Sequence, residues 1–219
     1  MSLAKLQGGA SGTGSVTLLA PNTNNTDVLT LPDVATDTLV GAAATQTLTN
    51  KTLGSGLVAG ASYLTSGTAV ASTSGTSIDF TGIPSWVKRI TVMFNGVSIS
   101  NAASYPIVQL GSGSVTASGY LGTLTTLVST SSVTTLATTT GFYFGNFGST
   151  ADTVNGQMVL TLQNSTNWVA SGVFANTNSL RGLLTAGNLS LGGTLDRIRI
   201  TTTNGTATFT AGSINILWE

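Results

Sequence analysis

The chain has 219 residues, of which only 6% are charged, with seven Lys+Arg against seven Asp+Glu, and it contains neither Cys nor His. Capture of nucleic acid or of an anionic membrane surface by charge needs clustered cations, which this balance does not supply. Disulfides, thiolate or imidazole metal sites, Ser-His or Cys-His catalysis and histidine pH switching are excluded with Cys and His, leaving only carboxylate or Lys chemistry.

At the N-terminus no apolar stretch reaches signal-peptide length, and no later apolar run approaches the ~18 residues of a membrane span. The expectation is a chain made in a cytoplasm and placed by assembly, without membrane insertion. The Gly-rich stretch 8–15 has no Gly-Lys-Ser/Thr and no strand before it, so a flexible arm is the preferred reading over a phosphate loop. Short apolar alternations at 16–21, 28–33 and 38–41 end in Pro or Gly and read as two or three short strands. The first aromatic residue is Tyr63, so the residues before it offer only Leu, Val and Ala for burial. Such a segment is expected to lean on other copies rather than to fold alone, which points to a trimer.

A Gly/Ser/Ala/Thr stretch at 54–75 reads as a linker, and the division falls near residue 65: 1–64 as an N-terminal attachment and oligomerisation segment, 65–219 as a C-terminal domain. In that domain, strand signals recur at 77–80, 86–94, 107–110, 133–137, 142–147, 157–163, 168–174, 183–191, 195–203, 206–209 and 213–218, with no helical periodicity between them. The fold class expected is all-β, a short β-rich segment followed by a β-sandwich of jelly-roll-like type. In 86–94, Ile90, Val92 and Phe94 share one face, and Arg89, Thr91 and Met93 the other. Ile198 and Ile200 oppose Arg197 and Arg199 in the same way. Asn204-Gly205 predicts a two-residue hairpin turn joining 195–203 to 206–209. Asn164 to Asn167 predicts a second hairpin with Met158, Leu160 and Leu162 on its inner face, and Asn95-Gly96 is either a turn or a bulge within a strand running on to Ile99.

Among groups that carry chemistry, the carboxylates are Asp27, Asp33, Asp37, Asp79, Asp152, Asp196 and Glu219. Glycoside hydrolysis would need two of them across a bond. Contexts such as Ala151-Asp152-Thr153 instead favour a side chain capping its own backbone, so no catalytic residue, metal site or cofactor is expected. Arg89, Arg197 and Arg199, with Lys88, would make a cationic stripe if their strands were neighbours. The preferred reading pairs the three arginines with Asp196, Asp79 or Glu219. In Phe142-Tyr143-Phe144, alternation turns the two Phe inward and Tyr143 outward, making Tyr143 the first candidate for stacking on a sugar face. Trp168, beside the Asn164 hairpin, is the second, with Asn146 or Asn167 as hydrogen-bonding helpers. For Trp86, Trp168 and Trp218 the preferred reading is nonetheless a place in the core or an interface, which large aromatics dominate.

The run 44–53 (Ala-Thr-Gln-Thr-Leu-Thr-Asn-Lys-Thr-Leu) resembles a segment that recurs in bacteriophage tail fibres, and 14–40 is similar to phage fibre N-terminal sequence. Residues 82–98 (Gly-Ile-Pro-Ser-Trp-Val-Lys-Arg-Ile-Thr-Val-Met-Phe-Asn-Gly-Val-Ser) and 195–219 resemble blocks of a β-rich domain at the C-terminal ends of phage fibre and appendage proteins. The resemblance implies a homotrimeric virion protein, assembled in the bacterial cytoplasm, whose N-terminal segment docks on other virion proteins and whose sandwich meets the host surface, with a surface glycan as the candidate partner. The chain lacks the extended repetitive shaft of long fibres. Two other readings stand beside it: a capsid-decorating head fibre or adaptor without a receptor, and an enzyme degrading surface polysaccharide.

Overall fold

The computed structural model describes residues 64–128 and 132–219. The strands expected at 16–21, 28–33 and 38–41, the Gly-rich stretch, the fibre-like runs at 14–40 and 44–53, and Asp27, Asp33 and Asp37 lie outside the described residues. In chain order the strands are β1 Thr65–Ser66, β2 Val70–Ala71, β3 Ile78–Thr81, β4 Arg89–Ile99, β5 Pro106–Ser112, β6 Ser114–Val115 and β7 Leu121–Val128, then β8 Ser132–Thr138, β9 Phe142–Tyr143, β10 Val154–Asn164, β11 Asn167–Asn176, β12 Arg181–Ser190, β13 Arg197–Thr202 and β14 Phe209–Trp218. No helix occurs among the described residues, which belong to a unit spanning Val58–Glu219.

The strands form two antiparallel sheets. The larger, nine-stranded sheet runs β1-β14-β4-β10-β11-β12-β7-β8 with β2 also on β14, and the smaller, five-stranded one runs β3-β13-β5-β6 with β9 also on β5. Period-two alternation decides which side chains lie between them. From the larger sheet come Ile90, Val92, Phe94, Met158, Leu160, Phe174, Ile214 and Ile216, and from the smaller Ile78, Phe80, Val108, Leu110, Ile198 and Ile200, all buried. Aromatic rings join the layers: Phe94 stacks on Phe144 with centroids 4.1 Å apart and meets the edge of Phe174 at 5.7 Å.

β4 carries the expected faces but begins at Arg89, because the Val87 N–H donates to the Pro84 carbonyl (3.1 Å) and closes a turn over Ser85 and Trp86, leaving Trp86 52% exposed. Asn95-Gly96 is a bulge inside this strand: Gly96 has φ +65°, and the registers with both β10 and β14 shift beside it. Met158 and Leu160 are buried and Leu162 half-buried in the β10–β11 hairpin, whose loop is only Ser165-Thr166. β7 is a strand that the sequence reading omits. Its leucines at 121, 124 and 127 recur every third residue, and only Leu124 is buried.

The hairpin expected at Asn204-Gly205 is not formed. A turn is present, with Gly205 at φ +66° and its N–H donating to the Thr202 carbonyl (3.0 Å). Beyond it, however, the Asn204 Oδ1 accepts the N–H groups of Thr206 (3.1 Å) and Ala207 (3.0 Å), and residues 206–208 form no strand. β13 pairs with β3 and β5 in the smaller sheet, whereas β14 pairs with β1, β2 and β4 in the larger. The turn therefore carries the chain from one layer to the other. Turn residues dictate a local change of direction; the partner of the next strand is set by which layer buries Phe209, Ile214 and Ile216.

Candidate functional site

The outward residues of the smaller sheet line up in three rows through the strand registers: Thr81-Arg197-Gly111, Asp79-Arg199-Gln109 and Thr201-Ile107-Tyr143. Two loops wall this face. The Gln109 Nε2 donates to the Thr140 carbonyl (2.8 Å), and the Thr201 Oγ1 donates to the Thr76 carbonyl (2.8 Å). Between the walls lies an open groove of about 410 Å³ whose lining includes Thr76, Gln109, Thr140, Arg199, Thr201 and Asn204.

Tyr143 is half-buried and partly packed against the core; it does not itself line this groove but lies one strand over from Ile107, its register partner, which does. Phe142 and Phe144 are fully buried, as alternation requires. Tyr143 does not stand alone: Tyr105 lies parallel to it, with ring centroids 5.3 Å and planes 18° apart. Tyr105 precedes Pro106 in the phase of Ile107 and Gln109, and its N–H donates to Thr203 Oγ1 (3.1 Å), another groove residue. The sequence reading missed Tyr105 because it lies outside any apolar run; its phase relative to Ile107 and Gln109 was the available signal. Among the described residues neither phenol oxygen has a hydrogen-bond partner.

Trp168 takes the opposite position. It is 2% exposed, paired in register with Leu162 and Leu189 on the inner face of the larger sheet. The strict alternation of β11 puts Trp168, Ala170 and Phe174 inside and Val169, Ser171 and Val173 outside. Stacking on a ligand needs an exposed ring, so the role expected of Trp168 is replaced by packing. The helper residues are engaged as well. Asn146 donates to Thr126 Oγ1 and its carbonyl accepts from Arg181, while the Asn167 Nδ2 donates to Asn164 Oδ1 (2.8 Å).

Three arginines on these surfaces are paired with carboxylates. Arg89 meets Glu219 at 3.1 Å, Arg197 meets Asp196 at 2.8 Å, and Arg199 grips Asp79 through both Nε (2.7 Å) and Nη2 (2.8 Å). β4 and β13 belong to different sheets, so Arg89 forms no stripe with Arg197 and Arg199. The Arg197 guanidinium and the Gly113 N–H hold the Asp196 carboxyl below the usual range.

Asp152 is a different case, fully buried in the loop before β10. Its carboxylate accepts from the N–H groups of Gly148 (2.6 Å) and Ser149 (3.1 Å), the Ser179 hydroxyl (2.6 Å) and the Asn176 Nδ2 (3.1 Å). Burial by itself would raise this carboxyl; the hydrogen bonds from Ser179, Gly148, Asn176 and Ser149 together outweigh it and keep the group below its ordinary value. Capping of its own backbone is the expected role, extended here to tie the loop to the β11–β12 turn. No group of three or more His, Cys, Asp or Glu side chains suited to a metal occurs among the described residues.

The outer face of the larger sheet has another character. Across β8, β7, β12, β11 and β10 run the rows Thr135-Thr125-Leu184-Val173-Gln157 and Ala137-Thr123-Ala186-Ser171-Val159, with no charged side chain in either. Val133 and Val173 are each 64% exposed. Comparison of the chain with protein-family models, curated proteins and solved structures finds no match.

Proposed function

We propose that this chain is a virion appendage protein, a short homotrimeric fibre whose β-sandwich meets the host bacterial surface. The observation that carries the reading is the Tyr105–Tyr143 stack beside a hydroxyl- and amide-lined groove. Rings with an apolar body and a polar tip are enriched at binding interfaces, where one end is buried and the other wet. The resemblance of 82–98 and 195–219 to fibre-end domains supports the same reading. For trimer formation the support is the uncharged outer face of β8, β7, β12, β11 and β10: five strands at ~4.8 Å spacing and ~3.4 Å per residue carry on the order of 600 Å², near the ~800 Å² per partner of a stable interface.

Fluorescently labelled full-length chain should bind a host bacterium and lose that binding on Tyr143→Ala with unchanged circular dichroism. If the parent binds none of a panel of bacteria and electron microscopy finds it on capsids, the capsid-decoration reading replaces attachment. Light scattering should give a trimer mass that falls toward the monomer in Val173→Lys/Leu184→Lys; a monomeric parent at micromolar concentration would remove the trimer.

A further inference from the structure

The groove beside the two tyrosines has a chemical signature that narrows its ligand. Its polar residues are partly used: each is fixed by at least one hydrogen bond and keeps another group open. Gln109 spends its Nε2 on Thr140 and leaves Oε1 without a partner among the described residues. Asn204 spends Oδ1 on Thr202, Thr206 and Ala207 and leaves Nδ2. Thr140 uses its carbonyl and leaves its hydroxyl, and Arg199 uses Nε and Nη2 and leaves Nη1. The open groups are thus a mixture of donors and acceptors, already immobilised, so a ligand that satisfies them does not have to order them first.

The groove also has no uncompensated charge. Among the described residues Arg199 is its only cation, and it is bound bidentately by Asp79, whose carboxylate would repel an anionic ligand approaching the same guanidinium. A ligand with alternating hydroxyl donors and acceptors, no charge, and an apolar C–H face to lie against an aromatic ring is an uncharged sugar. We propose that the groove between the 73–77 and 139–141 loops binds a neutral saccharide, with Tyr105 and Tyr143 as the stacking platform and Gln109, Thr140 and Asn204 as the hydroxyl-reading groups. This rests on reading the sandwich as the surface-contacting domain. It adds a site, a ligand class and a set of roles to that reading.

The test uses full-length chain on an array of neutral and acidic glycans and, in parallel, on host cells treated with periodate or with protease. Binding is expected on neutral glycans alone, insensitive to 50–500 mM salt, and cell binding should vanish after periodate, which cleaves vicinal diols. Tyr143→Ala should weaken neutral-glycan binding about tenfold or more, while Tyr143→Phe, which keeps the ring, should stay within about threefold. Asp79→Asn frees Arg199 and should add salt-sensitive binding to acidic glycans that the parent lacks. Cell binding that survives periodate but not protease would overturn the saccharide while leaving host attachment standing. Parent binding confined to acidic glycans, or Tyr143→Ala and Tyr105→Ala both folding and binding neutral glycans as the parent does, would overturn the site. Absence of both cell and glycan binding would overturn this inference and the attachment function together.

Discussion

Asp79 and Asp152 are each held by side-chain donors, yet they sit in opposite surroundings. Asp79 lies on the outer face of the smaller sheet, its side chain 36% exposed, in a bidentate pair with Arg199. Asp152 is fully buried, and among the described residues it has no cationic partner: two backbone N–H groups, a serine and an asparagine hold it. Arg181, nearby through Asn146 and Asn176, is likewise bound by neutral acceptors, the carbonyl and Oδ1 of Asn146 (3.0 and 3.2 Å). The exposed Asp79 pair cancels charge on a surface, whereas the buried Asp152 ties loops together through donors that water does not reach. The first arrangement contributes little to stability because solvent already satisfies both ions. The second is costly to disturb because each donor would remain buried without an acceptor.

Mutation of the two aspartates puts this contrast to a direct trial. Asp152→Ala strands the donors of Gly148, Ser149, Asn176 and Ser179 and is expected to cost about 3 kcal/mol, read as a lower urea midpoint at unchanged slope. A loss below the effect of Asp79→Asn would break the comparison. Lowering the pH should reproduce part of this loss. The folded Asp152 carboxyl lies below its unfolded value, so its contribution is complete above the unfolded value of ~3.9 and disappears as the pH falls through the folded one. With no His in the chain, the melting temperature should be nearly level from pH 5 to 8 and fall below pH 4.

Tyr120 separates burial from charge. Its hydroxyl accepts the Leu110 N–H (2.7 Å) and donates to the Thr116 carbonyl (2.9 Å), at 1% exposure. Tyr120→Phe keeps the ring against Phe142 but leaves that N–H without its acceptor, for an expected loss of about 2 kcal/mol by urea denaturation. Burial also pushes the phenol well above its usual value. Its contribution is therefore present below the unfolded ~10 and lost as the pH rises through the folded value. The smallest effect belongs to Asp79→Asn, within about 0.5 kcal/mol. A larger loss would mean that the exposed pair holds β3 on β13 and does more than neutralise the groove.

Several of these features are legible in the chain itself. Alternation assigned the faces of Ile90, Val92 and Phe94, of Ile198 and Ile200, and of Phe142, Tyr143 and Phe144, because successive side chains of an extended backbone point to opposite sides whatever the strand pairs with. Equal numbers of cations and carboxylates anticipated the arginine pairs, and the Ala-Asp-Thr context anticipated the cap at Asp152. The tertiary structure alone decided what depends on distant partners. It carried the chain across the sandwich at Asn204-Gly205, turned Trp168 inward by the phase of β11, made a strand of the leucines spaced by three in β7, and laid Tyr105 on Tyr143 across thirty-eight residues of sequence. Local conformation follows from each residue and its neighbours; strand partnership follows from which apolar faces bury one another, and that is a property of the whole sheet.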